Sequence, residues 1–218
     1  MNQNLIVTNT IVFVKQQLTG AEGGHDWFHV ERVWKNAKLI AATELGADLF
    51  TIELGALLHD IADSKFHAGD ETLGPRVARQ FLVDQQVLPE TIDHVEQIIR
   101  NISFKGGHGQ CLFKSAELDI VQDADRLDAL GAIGIARTFN YGGFKNRAIY
   151  DPAIAPDLNM GKAAYKNSVA PTVNHFYEKL LLLKDLMNTV TGKKLAAQRH
   201  EFMVVFLDQF YAEWNGTQ

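Results

Sequence analysis

An all-α fold, a single-domain helical bundle interrupted by one long irregular loop, is what this sequence predicts. Apolar residues recur at helical spacing through most of the chain, and no stretch of useful length alternates as a half-buried strand would. The 218 residues suffice for one domain with a substantial core.

The opening "MNQNLIVTNTIVFVKQQLTG" reads as an amphipathic helix. It has Asn and Gln where a secretory leader would carry positive charge, and Thr8, Asn9 and Thr10 interrupt its apolar residues. "DWFHVERVWKNAKLIAATELG" predicts a long helix, with Phe28, Val33, Ala37 and Ile40 on roughly one face, Asp26 as N-cap and Gly46 as the stop. A second helix runs from about Asp48 to Ile61. A third passes through "DETLGPRVARQFLVDQQ", where Pro75 marks an interior boundary, and a fourth through "PETIDHVEQIIRNI", with Pro89 at its first position.

"KSAELDIVQDADRLDALGAIGIARTFNYG" offers one or two more helices. Residues 141–167 collect Gly142, Gly143, Pro152, Pro156 and Gly161 without periodicity and read as a long loop, a lid or excursion. From Ser168 onward two apolar stretches predict an αα-hairpin spanning 168–216 with its turn at Thr191-Gly192, packed on the same domain.

Composition narrows the partners. Twenty-one basic against 26 acidic residues give a net charge of −5, and no Lys/Arg run suggests a nucleic-acid track, so a small-molecule ligand is expected. A lone cysteine, Cys111, rules out an internal disulfide framework and a multi-thiolate zinc site, and fits a reducing cytoplasm. No run of ~18 apolar residues is available to span a membrane. The oligomeric state is left open.

Chemistry concentrates at three places far apart in sequence. His25 and His29 open the first long helix, His59-Asp60 closes the apolar "ELGALLHDIADSK", and Asp123, Asp125 and Asp128 crowd "VQDADRLDALGA". Imidazole with carboxylate suits a divalent transition metal, and two His plus two Asp can hold one ion with positions left for water and substrate. Spacing alone does not bring them together: adjacent helical residues diverge by about 100°, so His59 and Asp60 meet one ion only if it lies in the sector between them. The structural alternative is that each is a buried, hydrogen-bonded side chain.

"HDWFHVERV", "LLHDIADSK" and "VQDADRLDALGAIG" resemble, in order and spacing, the HD superfamily of metal-dependent phosphohydrolases, with its pattern H…HD…D, and most closely its small stand-alone bacterial members. The resemblance covers nearly the whole chain and implies an all-helical HD-type fold. It also implies that His29, His59, Asp60 and Asp125 are metal ligands for one divalent ion, Mn²⁺ favoured, with Fe, Co, Ni, Zn or Mg as alternatives. Asp63 shares a helix face with the doublet and is the expected acid–base group for water. Lys65 is expected to neutralise phosphate, and Asp128, three residues after Asp125, to orient a ligand histidine or a nearby arginine such as Arg32.

His25 lies outside the helix that Asp26 caps and is expected to touch substrate phosphate or support a ligand. Lys145, Arg147, His175 and Lys179 are further expected substrate contacts, and Asp123 is expected to be solvated or a cap. The implied reaction is hydrolysis of a nucleoside triphosphate to monophosphate and pyrophosphate. The alternatives are a 5′-nucleotidase, a guanosine polyphosphate hydrolase, a di-iron oxygenase or a non-catalytic nucleotide-sensing module. Ser64 and "DRLDA" depart from the guanosine polyphosphate enzymes, and Ile102 stands where an additional His ligand for a second metal is often found.

Overall fold

The structure, a computed structural model, describes residues 2–21, 24–61, 70, 72–102, 113–161 and 168–217. Among these the chain is helical and no strand occurs. It divides into two compact units, Met1–Asp125 and Arg126–Gln218, with the division falling inside one helix.

The first unit holds α1 (Gln3–Gln17), α2 (Trp27–Ala41), α3 (Leu49–Leu58), α4 (Leu73–Asp84), α5 (Pro89–Asn101) and most of α6 (Ala116–Asp128). The starts of α2, α3 and α5 follow the local code. Asp26 Oδ1 accepts the His29 N–H at 3.0 Å, Asp48 Oδ2 accepts the Thr51 N–H at 3.0 Å, and Pro89 occupies the first turn of α5. Pro75 is no boundary; it sits in the first turn of α4, where a missing N–H breaks no helical bond.

The centre of this unit is α3, whose Leu54, Ala56, Leu57 and Leu58 are fully buried. A helix apolar all round is one enclosed by its neighbours, and α3 packs on α1, α2 and α5. The approach to α5 is close: a Cβ on Gly55 would stand 3.2 Å from two Ile98 side-chain carbons. On α2 the buried face is Val30, Val33, Ala37 and Ile40 together with His29, while Phe28 is exposed. Phe28 precedes Val33 by five positions, well off the face that three- and four-residue steps maintain.

The second unit contains the end of α6, α7 (Gly131–Phe144), a short α8 (Asn174–Glu178), a 3₁₀ segment (Leu180–Leu186) and α9 (Val190–Trp214). Three expectations change here. The irregular stretch begins at Lys145, because Gly142 lies inside α7, where a Cβ would come 2.2 Å from Thr172 Oγ1; that glycine serves close approach and not chain reversal. The first arm of the expected hairpin is not one helix. Leu180 and Leu183, three apart, are buried and suit the 3₁₀ repeat. Thr191-Gly192 is not a turn but the first turn of α9, since Thr189 caps that helix by accepting the Gly192 N–H at 2.9 Å.

The α6–α7 junction depends on glycine. Gly131 has φ +71, and a Cβ on Gly134 would stand 2.2 Å from the Ala129 carbonyl oxygen. Arg199 packs over Gly131 and donates to the Leu127 carbonyl. The unit's aromatic core joins Phe139, Phe176 and Phe206, with centroids 6.0 Å apart.

Candidate metal centre

Three elements of the first unit bring the expected ligands together. The Asp26 cap fixes His29 in the first turn of α2, where its side chain is 2% exposed. His59 and Asp60 follow the last residue of α3, and Asp125 comes from α6. His29 Nε2 lies 3.3 Å from His59 Nε2 and 3.6 Å from Asp125 Oδ1, and His59 Nε2 is 3.9 Å from the same oxygen.

Ligand atoms held about 2.1 Å from one ion at tetrahedral angles are separated by about 3.4 Å, so these spacings fit a shared divalent cation. Among the described residues this triad is the group of His, Cys, Asp or Glu side chains able to hold an ion. The donor chemistry agrees. His59 Nδ1 is 2.8 Å from the Ala56 carbonyl oxygen, to which it donates its proton, and that leaves the Nε2 lone pair facing the other ligands.

The fourth expected ligand, Asp60, stands beside the triad with Oδ2 3.9 Å from His29 Nε2. The same oxygen is 2.7 Å from His25 Nδ1. Burial opposes its charge, but the His25 hydrogen bond and the nearby His59, His25 and His29 rings outweigh it and hold the carboxyl well below the usual range. The structure thus places His25 on the Asp60 carboxylate. Sequence distance hid this pairing, because thirty-five residues separate the partners.

Asp128 is buried and accepts a 2.6 Å hydrogen bond from Arg137 Nη1 on α7, so the arginine it holds includes one that sequence reading did not name. Asp123 is fully buried, not a solvated cap, because with Ile120 and Leu127 it falls on the inward face of α6. Ile102 is also buried. Asp63 and Lys65 lie outside the described residues.

The remaining expected substrate contacts belong to the second unit. Lys145 Nζ lies 5.1 Å from the centre of the Phe144 ring. Arg147 donates to the Ser168 carbonyl at 2.6 Å and stacks over Tyr141. Burial, with Lys179 and Arg147 nearby, lowers the His175 pKa to about 3, so this imidazole is neutral at pH 7.

Comparison with known proteins agrees with this geometry. The HD domain family matches residues 27–130. The uncharacterized protein YpgQ of Bacillus subtilis is 40% identical over 208 residues, which cover 94% of this chain and 91% of that one. A crystal structure of an HD-superfamily hydrolase from Bacillus thuringiensis superposes with a TM-score of 0.78 at 44% identity, covering 98% of this chain and 99% of the other. The crystal structure of B. subtilis YpgQ in complex with ADP superposes with a TM-score of 0.78, at 35% identity in the structural alignment, over 98% and 97% of the two chains. With a His/Asp triad on three helices and relatives matched over nearly their full length, this chain belongs to the HD superfamily of metal-dependent phosphohydrolases.

Proposed function

We propose that this protein hydrolyses a small nucleotide, taking a nucleoside triphosphate and water to the monophosphate and pyrophosphate, with Mn²⁺ as the favoured metal. The observation that carries this reading is the convergence of His29, His59 and Asp125 within 4.8 Å of one another. YpgQ, crystallised with ADP, supports a nucleotide as the ligand class. A divalent ion held here supplies Lewis-acid chemistry, making water more acidic and polarising a phosphoryl oxygen.

The chain's own residues do the rest. Asp125, its side chain 35% exposed against 2% for His29 and 4% for His59, marks the side from which substrate and water approach. His25 fixes the Asp60 carboxylate and thereby its charge. Asp63 accepts the proton of the attacking water, and Lys65 neutralises a phosphate oxygen. Within the second unit His175 is neutral, so of the four expected contacts there Lys145, Arg147 and Lys179 are the ones that carry positive charge.

Product analysis on the metal-loaded protein tests the reading. Monophosphate plus pyrophosphate from triphosphates, at rates far above any on DNA or RNA, is the expected outcome. Nucleoside plus orthophosphate from monophosphates would move the assignment to a 5′-nucleotidase, and pyrophosphate released from the 3′ position of guanosine polyphosphates to that class of hydrolase. Tight nucleotide binding without turnover would make it a sensor.

A further inference from the structure

Glu117, in the first turn of α6, is a buried acid for which the hydrolytic reaction has no direct use. Its Oε1 accepts the backbone N–H of Asp48 at 2.9 Å, and Asp48 is the N-cap of α3. Its Oε2 lies 3.4 Å from Nε2 of His94 on α5. That nitrogen is also 2.8 Å from Ser115 Oγ, which accepts the Leu118 N–H at 3.0 Å and so caps α6. One carboxylate therefore joins the beginnings of α3 and α6 to the flank of α5.

The two helices so joined deliver ligands at their other ends, His59 just after α3 and Asp125 near the end of α6. They meet at both ends, at Asp48–Glu117 and at His59–Asp125, so they run side by side in the same direction. At about 1.5 Å rise per residue the tie stands about 12 Å from Asp125 and about 16 Å from His59. A tilt of only about 5° at the tie shifts the ligand end by about 1 Å, against a tolerance near 0.2 Å for a metal–ligand bond.

We infer that Glu117 is a positioning residue for the metal centre: by fastening the N-cap of α3 to α5 and α6 it sets the relative placement of His59 and Asp125, and hence metal affinity. This rests on reading His29, His59 and Asp125 as the metal centre. The acid acts through the peptide N–H of Asp48, so what the site needs from it is an acceptor oxygen at that place and not its charge.

The experiment measures Mn²⁺ dissociation constants on protein stripped with chelator, by counting free Mn²⁺ with electron paramagnetic resonance, alongside thermal midpoints of the metal-free forms. Glu117→Ala is expected to weaken Mn²⁺ binding at least tenfold, the scale of lost support for a ligand. Glu117→Gln keeps an oxygen for the Asp48 N–H and is expected to stay within threefold of wild type. Leu82→Ala, a fully buried truncation on α4, which carries no member of the tie, controls for general loosening and is expected to lower the thermal midpoint while leaving affinity within threefold.

Should Glu117→Ala not fold, Glu117→Asp, one methylene short of Asp48, is expected to show the same tenfold loss. Wild-type affinity in the folded Ala or Asp variant overturns the inference, as does equal weakening by Leu82→Ala or failure of Glu117→Gln to rescue. These outcomes leave the metal reading standing as long as the wild type takes up Mn²⁺. No uptake by the wild type overturns both.

Discussion

Removing the Asp128 carboxylate should be among the costlier single changes in the second unit. Its side chain is 2% exposed and accepts the 2.6 Å hydrogen bond from Arg137 Nη1, whose own side chain is 20% exposed. Breaking a buried ion pair by deleting one partner costs about 3–5 kcal/mol, because the remaining charge stays desolvated. Two features reduce that here: Arg137 is partly hydrated, and its 3.3 Å bond to the Asp128 backbone carbonyl survives the change.

Asp128→Ala should therefore lose about 2–3 kcal/mol, a fraction of the full buried-pair cost. Asp128→Asn, which keeps an acceptor but not the charge, should lose about 1–1.5 kcal/mol. Urea unfolding followed by far-UV circular dichroism measures this. With a slope near 2 kcal/mol per M, the Ala variant's midpoint should fall by about 1–1.5 M. Adding Arg137→Met should recover part of the loss, since it removes the stranded cation. A loss below about 0.5 kcal/mol for Asp128→Ala, or strict additivity with Arg137→Met, would refute the claim that this is a desolvated pair.

Asp60→Ala should keep the helical circular dichroism while losing stoichiometric metal and turnover, checked by elemental analysis and pyrophosphate release; full metal content would remove Asp60 from the site. His175 has a folded-state pKa lowered to about 3, so its contribution is complete above pH 6.5 and is lost as pH falls toward 3, at up to about 1.4 kcal/mol per pH unit. The difference in stability between wild type and His175→Gln should accordingly shrink between pH 6.5 and 4, and a constant difference would contradict the burial argument. In α7, Gly134→Ala meets the Ala129 backbone carbonyl at 2.2 Å and should cost about 1–3 kcal/mol, whereas Gly143→Ala, with nothing within 4 Å, should gain about 0.5–1 kcal/mol from helix propensity. Thermal midpoints that move in the same direction for both would show that the close approach at Gly134 is not limiting.

By itself the sequence determined the all-helical class, the cap at Asp26, the approximate start of α3 at Asp48, the Pro89 start and the identity of the metal-competent residues. Each of these depends on interactions within a turn or two of chain, where spacing and side-chain type are enough. What only tertiary structure decided involves partners many residues apart. The pairing of His25 with Asp60, the grip of Arg137 on Asp128 and the Glu117 tie between α3, α5 and α6 all arise from how helices meet. The same reason explains the local misreadings. Gly142 looked like a chain breaker, yet it serves a close approach by Thr172, and Asp123 looked solvated, yet it sits on the inward face of α6. Glycine and aspartate each have a local use and a packing use, and the sequence around them shows only the first. The candidate ion site is of the second kind, because its 3.3–3.9 Å spacings come from α2, the end of α3 and α6 brought to one point.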